Sequence, residues 1–121
     1  IRDVAPSRGL GDVYKRQETY AANAGNTLRY RKVGGVVYLK GVVTPKATLT
    51  GGTDNVTITT LPEGYRPEVQ GNFICQGSGT AIWLCTVTAA GLVRFARYRN
   101  GAAWADAPNN TWLPIDISFI I

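Results

Sequence analysis

From Thr27 to the last residue, apolar and polar positions alternate in short runs broken by Gly, Pro, Asn and Asp. Nowhere do apolar residues hold a helical period across about twelve positions, so the pattern predicts strands rather than helices. Strands are expected over 27–32, 36–44, 55–61, 69–76, 80–87, 92–99 and 112–121. In the second of these, Val37, Leu39 and Val43 share one face with Gly41 between them, while Val36, Tyr38, Lys40 and Val42 share the other. In the last, Leu113, Ile115, Ile117, Phe119 and Ile121 alternate with Trp112, Pro114, Asp116, Ser118 and Ile120, which sends one face to a core.

The intervening segments carry turn chemistry. Leu61-Pro62-Glu63-Gly64-Tyr65-Arg66-Pro67 combines two prolines with a glycine and is expected to cross between strands. Gly77-Ser78-Gly79 and Ala89-Ala90-Gly91 join three strands into a meander, and 100–111 reads as a loop holding Trp104, Asp106, Pro108, Asn109 and Asn110. Seven or eight short strands in one domain fit an all-β, antiparallel β-sandwich or jelly roll, because a sheet buries its apolar face only against a second layer.

Residues 1–17 follow neither pattern. Asp12-Val13-Tyr14-Lys15-Arg16-Gln17 can be encoded as GAT GTG TAT AAG AGA CAG, which resembles a transposon end used in sequencing adapters. The stretch is therefore expected to be a translated artefact or a disordered segment, with 18–26 a linker and 27–121 the domain. The chain also opens on Ile1 without an initiator Met, so a longer parent is expected. Excluding Arg2, Arg8, Lys15, Arg16, Asp3 and Asp12 reduces 13 basic and 8 acidic residues to 9 and 6, and the net charge from +5 to +3.

Composition narrows the chemistry. The hydrophobic fraction of 45% is that of a globular chain, and no apolar run has the ~18 residues a membrane helix needs. There is no His, which removes Ser-His-Asp and Cys-His arrangements, and the carboxylates of Glu18, Asp54, Glu63, Glu68, Asp106 and Asp116 form no paired motif. No enzymatic activity, metal or cofactor is expected. A turn centred on Ser78 would set Cys75 opposite Ala81 and Cys85 opposite Gly71, a stagger of ~13 Å that predicts free, buried thiols. Asn55-Val56-Thr57 and Asn109-Asn110-Thr111 read as turns rather than glycosylation acceptors.

The order RYRKVGGVVYLKG, TLPEGYRPE, a hairpin, an aromatic loop and TWLPIDISFII resembles the C-terminal β-domain of tail-fibre and receptor-binding proteins from tailed bacteriophages of Gram-positive hosts. The resemblance spans most of 27–121, and its most specific part is LPEGYRP between two strands. It implies a homotrimeric β-sandwich at the fibre tip, extracellular on the virion. There it would be joined to the rest of the tail fibre or baseplate and would contact bacterial cell-surface polysaccharide, without membrane insertion.

Three aromatic and basic groupings bear on binding. Trp83 and Trp112 are expected to pack, whereas Trp104, with Asp106, Asn109 and Asn110, offers an apolar face and polar groups for a sugar ring, with Arg97, Tyr98 and Arg99 nearby. Arg29, Arg31 and Lys32 interleave with Tyr30, and Arg94, Arg97 and Arg99 with Phe95 and Tyr98, a composition that single-stranded nucleic-acid readers also use. Strict alternation puts Arg97 and Arg99 on one face and Arg94 on the other, so no nucleic-acid partner is expected. The remaining alternatives are a structural trimerising tip or an oligonucleotide-binding barrel. Val36, Tyr38 and Val42, on a strand whose other face is already apolar, call for cover by another subunit.

Overall fold

Two five-stranded antiparallel sheets pack face to face in the computed structural model, which describes residues 10–12, 20–22 and 27–121. The elements are β1 (Leu10–Asp12), β2 (Tyr20–Ala22), β3 (Arg29–Val33), β4 (Val36–Pro45), β5 (Val56–Thr60), β6 (Gly71–Gln76), β7 (Ala81–Val87), β8 (Leu92–Asn100), β9 (Ala103–Trp104) and β10 (Leu113–Ile120). The first sheet runs β1-β3-β4-β10, with β2 also on β4; the second runs β5-β8-β7-β6, with β9 also on β8. The described chain is all-β, as its alternation requires.

Within the stretch expected to be artefact or linker, Leu10–Asp12 pairs with β3 and Tyr20–Ala22 with β4. The rest of that stretch lies outside the described residues.

The core sits between the sheets. Val37, Leu39 and Val43 of β4 and Leu113, Ile115, Ile117 and Phe119 of β10 face Trp83, Cys85 and Val87 of β7 and Val93 and Phe95 of β8. Trp83 stacks on Phe95 at 5.3 Å and Phe95 on Tyr98 at 6.0 Å, while the Trp83 indole N–H donates to the Gln76 carbonyl at 2.8 Å. An aromatic column of this kind buries large apolar area while leaving its one indole donor satisfied. Leu28 enters the core by crossing Gly41, where an added Cβ would lie 2.4 Å from the Leu28 Cα and where φ is +150°. The glycine inside the expected strand is thus a crossing point, not a break.

Leu61–Pro67 crosses between strands as expected, leading from β5 to β6 at the opposite edge of the second sheet, and is held by contacts from within and from β3. Lys32 donates to the Gly64 carbonyl at 3.0 Å and lies 4.9 Å over the Tyr65 ring, which meets Tyr30 edge-on at 4.6 Å. Arg66 donates to the Leu61 carbonyl at 2.9 Å.

Two expectations need correction here. The β6–β7 hairpin pairs Gln76 with Ile82 and Cys75 with Trp83, so its turn is centred on Gly79 rather than Ser78. Gly79 takes φ +62°, Ala81 N–H donates to the Ser78 carbonyl, and the Gln76 side-chain amide bonds the Gly77, Gly79 and Ala81 carbonyls. The stagger between the cysteines is half that expected, although both remain free and buried. Trp112, expected to pack, is 47% exposed because Leu113, its neighbour in the alternation, takes the inward position. Trp83 does pack.

Candidate ligand-binding surface

The feature that organises the candidate residues is a bulge in β8. Ile82 pairs with Arg99 and Leu84 with Ala96, so Trp83 faces two residues, Arg97 and Tyr98. Arg97 takes the left-handed conformation, φ +57°, and its N–H donates to the Asp54 carboxylate at 3.1 Å. One extra residue inverts every later side chain. Val93 and Phe95 point inward before the bulge and Tyr98 after it, so Arg99 points outward together with Arg94. The expected split of the arginines, with Arg94 alone, is thereby corrected: Arg94 and Arg99 share the outer face, and Arg97 is exposed between them.

Cross-strand pairing then lays out rows on the outside of the second sheet. One row reads Gln76, Ile82, Arg99, Trp104; another reads Asn72, Thr86, Arg94, Thr57. Trp104 reaches its place because the segment expected to be loop contains β9, which returns on β8 through a turn at Gly101, φ +67°. Trp104 is 55% exposed beside the half-buried Arg99. An aromatic side chain next to a guanidinium on a rigid hairpin presents an apolar face and charge-assisted donors together.

The other candidates lie elsewhere. Tyr98 is 5% exposed, its ring in the core and its hydroxyl accepting from Ser78 N–H at 3.3 Å, so it supports the surface from beneath and is no part of it. Asp106 accepts from Gly51 N–H at 2.7 Å, next to the paired bonds between Leu49 and Ala107, and so pins the 49–52 turn to the segment after β9. Asn109 and Asn110 are exposed on a tight turn; Asn110 has φ +67° and its N–H donates to Pro45 carbonyl at the end of β4. Asn55 likewise has φ +58°, so the Asn-initiated motifs read as turns do contain turn residues. The structure therefore pairs Arg99 with Trp104, sets Arg94 on the same outer face beyond the Leu84–Ala96 row, leaves Arg97 exposed at the bulge, and places Asp106, Asn109 and Asn110 along the segment that returns to the first sheet.

Sequence reasoning missed a concavity at the sheet edges. A cleft of about 550 Å³ opens between β6 and β10, the adjoining edges of the two sheets, lined by Glu68, Val69, Asn72, Phe73, Ser118 and Ile120. Its residues come from segments distant in sequence, and only the topology brings them together. Among the described residues, no group of three or more His, Cys, Asp or Glu is placed to hold a metal ion.

No protein-family model and no curated protein matches the chain. Among solved structures, the chain is similar to the head domain of phage bIL170, whose crystal structure was presented in connection with a common fold for the receptor-binding domains of lactococcal phages. The TM-score is 0.66 at 14% identity, over 93% of this chain and 96% of that one. The likeness is one of fold, and it extends through both sheets.

Proposed function

We propose that this chain is the receptor-binding domain at the tip of a phage tail fibre, a trimeric, non-enzymatic adhesion module for a bacterial surface glycan or teichoic-type polymer. The observation that carries the reading is the fold likeness to a lactococcal phage head domain along almost the whole of both chains. Adhesion here is surface complementarity without bond chemistry. Rigid strands hold Trp104 and Arg99 side by side for stacking and hydrogen bonding, with Arg94 and Arg97 adding positive charge for an anionic polymer. Asp106, Asn109 and Asn110 supply polar groups along the neighbouring turn.

Self-association would use the outer face of the first sheet. Val33, Tyr38 and Ile120 are exposed there, and a face of this composition is what a homo-oligomer interface covers. Three copies would raise weak single-site binding by avidity.

The test is binding of the intact chain to arrayed bacterial glycans and to Gram-positive cells, alongside light scattering. A Trp104→Ala variant that folds but binds unchanged sinks the site; a wild type that binds no glycan or cell at all sinks the adhesion reading and leaves a structural tip.

Arg99 paired with Trp104, and Arg94 on the same outer face, favour one further reading, a single-stranded nucleic-acid surface. Titration with oligonucleotides separates the two: the adhesion reading expects no retention at about 150 mM salt, where a phosphate-tracking protein with few contacts is already weakened.

A further inference from the structure

The corrected hairpin register brings the two cysteines together. Cys75 lies opposite Trp83 and Cys85 opposite Phe73, so the thiols occupy one inward face a single diagonal step apart. In an antiparallel pair with right-handed twist, one diagonal closes and the other opens. For hydrogen-bonded pairs, which 75/83 and 73/85 are by their step from the Gly77 N–H to Ala81 carbonyl bond, the closing one joins the residue nearer the turn on the first strand to the residue farther from it on the second. Cys75 and Cys85 hold those positions.

The thiols touch. The Cys85 S–H bond to Cys75 pulls the Cys75 pKa down against the effect of burial; that same bond, burial and the charge of Cys75 push Cys85 well up. Cys75 is therefore the readier thiolate. It is also the more accessible residue, 7% exposed against 0% for Cys85. Neither residue belongs to the proposed adhesive surface.

We propose that Cys75 and Cys85 are an oxidant-responsive dithiol that closes to a disulfide and staples the edge strand β6 to β7. With a peroxide as oxidant, the Cys75 thiolate attacks one peroxide oxygen, the O–O bond breaks, and Cys75 sulfenic acid and hydroxide form. The Cys85 sulfur then attacks the sulfenic sulfur, the S–O bond breaks and water leaves with the Cys85 proton. The hydroxide takes the proton that Cys75 gave up. Two thiols are oxidised and one peroxide is reduced to two waters. The staple restrains the strand that borders the β6/β10 cleft.

The test treats the full chain with hydrogen peroxide and, separately, with diamide, then alkylates it in denaturant for intact mass measurement. The expected result is a loss of about 2 Da, no alkylated thiol, a single-chain band on a non-reducing gel, and recovery of both thiols with dithiothreitol. Cys75→Ser and Cys85→Ser each abolish the loss, and the remaining thiol gains about 16 Da or more under peroxide. Wild-type chain that keeps both thiols alkylatable, gains oxygen instead of losing hydrogen, or cross-links into a dimer overturns the proposal. The wild-type measurement decides it even if a variant fails to fold.

Discussion

The outer faces of the two sheets are built from similar residues and end up with different organisation. On the first sheet the β3–β4–β10 ladder runs without a register shift, and its rows are sorted: Arg29, Lys40, Asp116, then Arg31, Tyr38, Ser118, then Val33, Val36, Ile120. Charge lies at one end and apolar surface at the other. On the second sheet the ladder is interrupted twice, at Ile58 in β5 and at Arg97 in β8. There Arg99, after the break, is turned to the side of Arg94, before it, and Trp104 is paired with Arg99. An unbroken ladder leaves a graded face, the one proposed above for self-association; a bulged one changes which side chains share a face.

The most severe way to break this contrast is Tyr98→Ala, which removes the side chain that the bulge turns into the core. The expected cost is about 3–5 kcal/mol in urea unfolding, as for loss of a large core aromatic. A variant within about 1 kcal/mol of the parent, on the scale of an ordinary surface change, would show that the bulge does not seat Tyr98 in the core.

Next in size is Gly41→Ala on the regular sheet, where the new Cβ meets the Leu28 backbone. A loss of about 2–3 kcal/mol is expected from overpacking and positive φ, read from the denaturation midpoint. Asp106→Ala removes the bond to Gly51 N–H and should cost about 1 kcal/mol, with faster amide exchange at Gly51 and little change elsewhere. Unchanged exchange at Gly51 would mean the carboxylate does not hold that turn.

The smallest effect on folding is Tyr38→Lys, since Tyr38 is 48% exposed on the graded platform. Stability should stay within about 0.5 kcal/mol while light scattering shows the oligomer dissociating to monomer. Unaltered association would move the self-contact elsewhere.

These cases also mark what was legible in the sequence. In β4 and β10 regular pleating makes alternation equivalent to facing, so Val37, Leu39 and Leu113 are inside and Tyr38 and Asp116 outside as read; Val42, read as needing cover from another subunit, is already buried within the chain. Arg97 looks like any other residue in its run, and its left-handed backbone is held by Asp54, more than forty positions away, so neither the bulge nor the regrouping of Arg94 with Arg99 was visible locally. The same holds for the turn at Gly79, where Gln76 caps three carbonyls and moves the centre by one residue. Trp104 was identified as a candidate from its residue type and loop setting. Its partner Arg99 was named, but their pairing across β8 and β9 required the fold. Tyr98 was grouped with its neighbours in sequence, whereas the bulge separates it from them.

The most direct measurement of the central claim is equilibrium binding of purified cell-wall polysaccharide from Gram-positive hosts to the intact chain and to folded Trp104→Ala. The account predicts saturable binding by the former and at least a tenfold weaker association by the latter, about 1.4 kcal/mol or more. Equal affinity for the two proteins would contradict it.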